Sequence, residues 1–493
     1  MAKCSARFCM MLVVLAFVAG VVGWADAGEP SCGDVAGLWE GSLEFPGFAL
    51  RVVFKLTLPA DGTVQGTLAR PDQGDDEIPI TRAVLDANHV RLEVGAANAF
   101  FEGRIDRERC KLEGQWHQGH HTLPLVLKEV SQIRKPNRPQ TPVPPFPYDA
   151  EDVVYATRDA PAESAGTLTL PRQGRPCPAV LLISGGGAQD RDVTILGHRF
   201  FLVLADYLTR RGLAVLRVDD RGVGASTGDR SRATSEDFAF DALAGVEFLK
   251  GRQEIDPKKI GLIGHSEGGI IASLAAARSS DVAFIVMMAG PGLSGEEYNL
   301  QFEASAGRAL GLSEEAIAAR RRFQERVFAA IKNKTDSVAE AELRRLLSAL
   351  DPPLRGDQLE AAMKRFLSPW YRFSISHNPA ETLQKVNCPV LALFGEKDVQ
   401  VPPEGNAEAL GSALTLAGNE NSRVEVLPNL NHFFQTAKSG RPDEYGKIKE
   451  TMSPTALKLI ADWIREQTSQ VAQDGSRTRR FVARRHRFMR VPP

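Results

Sequence analysis

Residues 260–271 read I-G-L-I-G-H-S-E-G-G-I-I, and this stretch decides how the rest of the chain is read. A short apolar run, of the kind carried by a strand buried on both faces, leads into Gly264-His265-Ser266-Glu267-Gly268. A small-residue helical pattern with Ile271, Leu274 and Ala275 follows. The pattern predicts strand, sharp turn, helix. Glycines flank the serine because it holds a strained backbone conformation there, and side chains beside it would collide with the neighbouring strand and helix. Such a turn lifts the Ser266 hydroxyl above the sheet. It also leaves the Glu267 N–H at a helix N-terminus, aimed where an oxyanion forms. A lone G-x-S-x-G arises by chance in long chains, so its weight comes from strand, helix and downstream partners.

Upstream, the apolar run 179–183 ends at Ser184-Gly185-Gly186-Gly187. Adjacent glycines after a core strand let backbone approach a ligand closely, and the Gly186 N–H is the candidate second oxyanion donor. The loop lacks the Lys-Ser/Thr ending of a phosphate-binding loop. Residues 198–211 carry a helix pattern and 213–218 a strand. The latter runs into Asp219-Asp220-Arg221-Gly222-Val223-Gly224-Ala225-Ser226, whose glycine spacing fits a tight turn better than a dinucleotide fingerprint. A helix over 238–249 and a buried strand over 282–288 continue an alternation that predicts a parallel sheet wrapped by helices on both faces.

Downstream lie the partners a serine needs. Its hydroxyl is a poor nucleophile at neutral pH until an imidazole takes its proton, and the imidazole needs a carboxylate to fix its tautomer. After the strand 390–394 comes Gly395-Glu396-Lys397-Asp398, and after the strand 424–427 comes Asn431-His432-Phe433. Asp398 is the chosen acid because it lies deeper beyond the strand end, with Glu396 as the alternative. His432 is the base; His486 sits in a different kind of sequence. Asp190, Arg191 and Arg221 are open between two roles, a contact to a substrate carboxylate and an ion pair tying the glycine loop to the next strand loop. Between 290 and 375 a helical insert, with Ser313 as a cap and Phe323, Val327 and Ile331 at four-residue spacing, is placed to form a lid over Ser266.

The 493 residues are 43% hydrophobic and 25% charged with a formal net charge of -1, which suits a globular chain of two or three domains and favours neither nucleic acid nor an acidic surface as partner. Lys3 and Arg7, the apolar run 8–22 and Ala25-Asp26-Ala27 read as a signal peptide over 1–27, hence export, with no stable membrane anchor. From 28 to 131, period-two segments such as 50–58, 64–68 and 90–94 between Gly-rich turns predict a small all-β barrel or sandwich, with Cys32 and Cys110 placed to close it. His117, His120 and His121 lack acidic or thiol residues at ligand spacing, so no metal and no cofactor is expected. Six prolines between 136 and 147 make 132–150 a stiff extended linker to the domain 151–468, and the Arg-rich residues 469–493 read as a disordered tail. Cys177 and Cys388 precede core strands and are not expected to pair.

The segments 184–192, 220–226, 264–268, 395–398 and 429–432 resemble those of α/β-hydrolases, specifically bacterial serine esterases close to the serine-aminopeptidase-like branch. The likeness covers about 153–466, and residues 28–131 resemble, more loosely, the lipocalin-like domain that precedes the catalytic domain of some exported hydrolases. The resemblance implies an eight-stranded sheet in the order 1-2-4-3-5-6-7-8, with two strands between those that follow Cys177 and Cys388. It also implies ester hydrolysis of a small-molecule substrate through an acyl-enzyme. A serine peptidase or aminopeptidase with the same triad is the first alternative, with Glu296 and Glu297 as possible anchors for a substrate amine. A non-catalytic secreted binder is the second.

Overall fold

A computed structural model describes residues 35–470, apart from 46–47, 61, 73–76, 120, 159–161, 333 and 351–352. The expected signal peptide, Cys32, His120 and nearly all of the basic tail lie outside the described residues.

The larger domain holds eight strands in one sheet, whose inner members are apolar and buried at nearly every position because both faces are covered. The strands are β1 (Asp149–Ala156), β2 (Glu163–Leu170), β3 (Cys177–Ile183), β4 (Ala214–Val218), β5 (Ile255–His265), β6 (Phe284–Met288), β7 (Val390–Gly395) and β8 (Arg423–Leu427). Their order is 1-2-4-3-5-6-7-8, antiparallel from β1 through β2 to β4 and parallel from there on. Cys177 and Cys388 are both free, and β5 and β6 stand between the strands they precede.

Helices cover both faces, as right-handed crossovers between parallel strands require. On one face α2 (Ser235–Lys250), α3 (Glu267–Ala276) and α10 (Pro403–Leu416) bury Val246, Leu274 and Leu410 against Leu181, Leu262 and Phe394. On the other, α1 (Phe200–Thr209) and α11 (Pro454–Gln470) bury Phe200, Leu204 and Ile460 against Val180, Ile263 and Leu391. The helix expected from 198 starts only at Phe200, because His198–Arg199 pairs with Thr194–Ile195 in a two-residue hairpin. Thr234 and Asp237 close a capping box at the start of α2, which is why that helix begins three residues earlier than its apolar face suggests.

The lid is the run of helices α4 (Gly295–Ala309), α5 (Glu314–Ile331), α6 (Asp336–Ser348), α7 (Gly356–Phe366) and α8 (Pro369–Ser376), inserted after β6 and followed by the short α9 (Pro379–Leu383). Ser313 accepts from the Ala316 N–H to cap α5. Val327, Ile331, Leu343 and Tyr371 give the lid a core of its own.

Residues 37–130 form, among the described residues, a nine-stranded antiparallel sheet. In the strand His89–Val94 only Val90, Leu92 and Val94 are buried, the period-two alternation of a sheet with one covered face. Gly37–Phe45 pairs with both Phe48–Thr57 and His121–Val130, so the sheet curls around Trp39, Phe54, Phe101 and Trp116. This is a separate all-β domain, compatible with a lipocalin-like barrel without establishing one. The proline-rich connector does not span open space. Tyr148 is buried, with its hydroxyl donating to Asp206 on α1.

Candidate active site

The turn after β5 has the geometry its glycines foretell. Ser266 sits at φ 55°, ψ −122°, a region L-residues avoid at a cost of roughly 1–3 kcal/mol. A Cβ on Gly264 would lie 1.9 Å from the Gly268 carbonyl oxygen, and one on Gly268 would lie 2.3 Å from that of Ile183 on β3. Only glycine fits at either position. The Ser266 N–H donates to Met288 O at 2.8 Å, fixing the turn to the end of β6, and α3 starts at Glu267 with Gly269 N–H donating to Ser266 O.

Asp398 and His432 arrive from the loops after β7 and β8. His432 Nδ1 lies 2.8 Å from Asp398 Oδ2, with both side chains almost fully buried. The other carboxylate oxygen accepts from the Gln400 and Val401 N–H groups at 2.8 and 2.9 Å, which fixes its orientation. With Nδ1–H committed to Asp398, His432 Nε2 is left as an acceptor. Glu396 is turned elsewhere and accepts from the Asn429 N–H at the surface. His265, beside the serine, donates from Nε2 to the His432 carbonyl oxygen at 2.9 Å, and its ring lies 4.7 Å from the His432 ring. Burial pushes the His265 imidazole down to about 3, so it acts as a neutral prop for the His432 backbone.

Ser266 and His432 line one cavity of about 760 Å³. Among the described residues no hydrogen bond yet joins the serine hydroxyl to the imidazole; such bonds commonly tighten only with substrate in place. Gly185, Gly186 and Glu267 form the adjoining wall. A Cβ on Gly185 would come within 3.0 Å of Ser266 Cβ, so this loop passes directly beside the serine. The Gly186 N–H has no acceptor among the described residues, and the Glu267 N–H heads α3. The lid supplies the opposite wall through Tyr298, Phe302 and Ala306, four residues apart on α4, and Leu310 just past its end. Burial keeps the Tyr298 phenol protonated, helped by the charges of Asp398 and Glu267.

Asp190, Arg191 and Arg221 do not line this cavity, and of the two roles open to them the contacts of the two arginines are those of the ion-pair one. Arg191 forks onto Asp219, with Nη2–Oδ2 at 2.7 Å, and reaches Asp152 at 2.9 Å. Arg221 forks onto Asp241. Asp190 caps its own turn, accepting from the Asp192 and Thr194 N–H groups. Nor do the proposed amine anchors serve: Glu297 closes the capping box of α4 with Ser294, and Glu296 pairs with Lys332.

Three contributors escaped the sequence reading. Asp220 accepts from Ser184 Oγ, from the Gln189 N–H at 3.0 Å and from Arg230, and so pins both ends of the glycine loop. Burial pushes its carboxyl up to about 6 against the pull of Ser184 and Arg230. The Glu267 carboxylate accepts at Oε1 from Ser235 Oγ on α2 and from the Trp370 indole on α8, both at 2.6 Å, while its buried Oε2 has no hydrogen-bond partner among the described residues. The segment 441–445 closes the cavity rim. Of these, only Asp220 carried a hint, by adjacency to the flagged pair.

Sheet order, the strained serine turn after β5 and the loops after β7 and β8 together define an α/β-hydrolase fold, preceded by an all-β domain. A family model described as serine aminopeptidase, S33, matches residues 197–435. Among curated relatives, esterase EstD of Thermotoga maritima is 28% identical over 305 residues, 61% of this chain and 65% of its own length. The putative hydrolase YtaP of Bacillus subtilis is 34% identical over 116 residues, 20% of this chain and 38% of its own. The chain therefore spans less than two thirds of the length of either. Among solved structures, a Pyrococcus furiosus esterase is similar at TM-score 0.40 and 16% identity, over 68% of this chain and 99% of that one. The proline iminopeptidase of Mycobacterium smegmatis is similar at TM-score 0.41 and 17% identity, over 65% and 100%.

Proposed function

We propose that the protein is an exported serine hydrolase that cleaves carboxylic esters through an acyl-enzyme, with Ser266 as nucleophile, His432 as base and Asp398 as the residue that orients it. The observation that carries this reading is the buried His432–Asp398 pair, 2.8 Å apart, bordering the same cavity as a serine held at positive φ. Ser266 Oγ attacks the ester carbonyl as its proton passes to His432 Nε2. The tetrahedral oxyanion is met by the Glu267 and Gly186 N–H groups. Collapse expels the alcohol, which takes the proton from His432. Water, deprotonated by the same nitrogen, then releases the acid and restores Ser266. The apolar α4 wall favours a hydrocarbon group on the acyl or alcohol side.

The peptidase reading loses support with Glu296 and Glu297 engaged elsewhere, since a substrate ammonium then lacks its nominated partners. The test is Ser266→Ala: turnover of a p-nitrophenyl ester drops by a factor on the order of 10⁶, and labelling by a fluorophosphonate probe disappears. Retention of more than a few per cent of turnover removes Ser266 from the mechanism. Faster turnover of aminoacyl amides than of matched esters transfers the assignment to a peptidase.

A further inference from the structure

The connector between the two domains is bonded to the segments that frame the cavity mouth. Pro136 lies against Gly197, where a Cβ would meet Pro136 Cγ at 2.7 Å with φ at +76°. Gly197 turns the hairpin formed by Thr194–Ile195 and His198–Arg199. The Arg138 guanidinium donates to Leu196 O at 2.7 Å, to Gly446 O at 2.9 Å and to Ile448 O at 3.1 Å. It therefore joins the hairpin to a segment some 250 residues later. Gln140 donates to Met452 O and accepts from Thr451 and Met452 N–H. The two joined segments contribute Ile195, Leu196, Arg441, Pro442, Asp443 and Tyr445 to the cavity. From the β domain, the strand Phe48–Thr57 packs against Pro442–Tyr445; burial lowers the Arg138 guanidinium from its ordinary value, and the negative charge of Asp72 offsets part of that.

We propose that the β domain and its connector brace the substrate cavity, with Arg138 as the positioning residue that holds the two halves of the rim in register. His198 of the hairpin already meets Tyr445 O at 3.1 Å and Thr451 Oγ1 at 2.9 Å; the Arg138 guanidinium adds a second tie, to three carbonyls on the two loops, and a single lysine ammonium does not reproduce that fork. Without the brace, residues 194–199 and 441–448 keep their ties to the sheet but lose their tie through Arg138, and the rim relaxes. The role rests on the ester-hydrolase reading for its readout and concerns cavity shape, leaving the chemistry at Ser266 to the triad.

The full-length protein is compared with Arg138→Ala and Arg138→Lys on p-nitrophenyl acetate, butyrate, octanoate and dodecanoate, alongside the rate of fluorophosphonate labelling and the melting temperature. Arg138→Ala is expected to lower kcat/KM about tenfold on the longer esters, chiefly through KM, while the acetate ester and probe labelling change by less than about threefold. Arg138→Lys recovers part of the loss, and millimolar methylguanidine recovers part of the loss in Arg138→Ala. A folded Arg138→Ala whose chain-length profile matches the wild type overturns the proposal; should that variant not fold, Arg138→Lys decides by the same two outcomes. Equal losses on every ester and on the probe also overturn it, since they mark general destabilisation. A wild-type protein that neither turns over any ester nor takes the probe defeats the ester-hydrolase reading instead.

Discussion

Gly268→Ala tests the geometry of the turn with a single methyl group. The new Cβ would lie 2.3 Å from Ile183 O and 2.5 Å from Ser184 O, whereas ordinary contact begins at 3.4 Å. Both atoms are backbone at the end of β3, so neither can swing aside as a side chain would. Either the start of α3 or the end of β3 must retreat by roughly 1 Å. One shift moves the Glu267 N–H and the other moves the loop that carries Gly186. A misplacement of that size costs on the order of 100-fold in a reaction that depends on positioned donors, and overpacking of this kind costs about 1–3 kcal/mol in stability. The assay is pre-steady-state and steady-state turnover of p-nitrophenyl butyrate, with urea unfolding in parallel. Gly251→Ala is the control: Gly251 has helical φ and its nearest contact is 3.5 Å, so alanine fits and activity holds. A folded Gly268→Ala with kcat within threefold of the wild type would refute the close-packing argument.

Other expectations follow from the same contacts. Asp398→Asn should lower kcat by a factor of order 10⁴, while Glu396→Gln, which only disturbs a surface contact to Asn429, should change it by less than about threefold; the reverse order in steady-state assays would exchange their roles. Trp370→Phe deletes the indole donor to Glu267 and should raise KM several-fold with fluorophosphonate labelling little changed; unaltered KM would show that the lid is held by other contacts. The pH dependence has opposing parts. Burial holds His198 at about 4 and His265 at about 3, below the ordinary 6.5, so each contributes stability above pH 6.5 that is lost as the pH falls toward those values. Asp220 works the other way: raised from 3.8 to about 6, its contribution is complete below about pH 4 and is lost as the pH rises through 6. Asp220→Asn should therefore steepen the fall in urea midpoint between pH 7 and 5, and an unchanged slope would contradict the burial of that charge.

The serine turn was legible because its cause is local. Gly264 and Gly268 mark the places where backbone approaches backbone, and apolar runs before 266, 398 and 432 mark strand ends, so the order of the three residues could be read along the chain. The partners of charged residues were not legible. Asp219, Asp220 and Arg221 are consecutive, yet they bond to Arg191, Ser184 and Asp241 respectively, and nothing in their spacing assigns those pairs. Arg138 was hidden more deeply, since its acceptors are main-chain carbonyls and any sequence offers one at every residue. The proline density carried no information about what the connector would lie against.

Glu267 joins the serine turn to the lid. Its main chain begins the helix behind Ser266, and its carboxylate accepts from Trp370 of the lid and Ser235 of the core. Any swing of α8 away from the cavity must release the indole and leave that carboxylate with one donor fewer, close to the site where negative charge develops during attack. One side chain thus ties the position of the lid helix to the surroundings of Ser266.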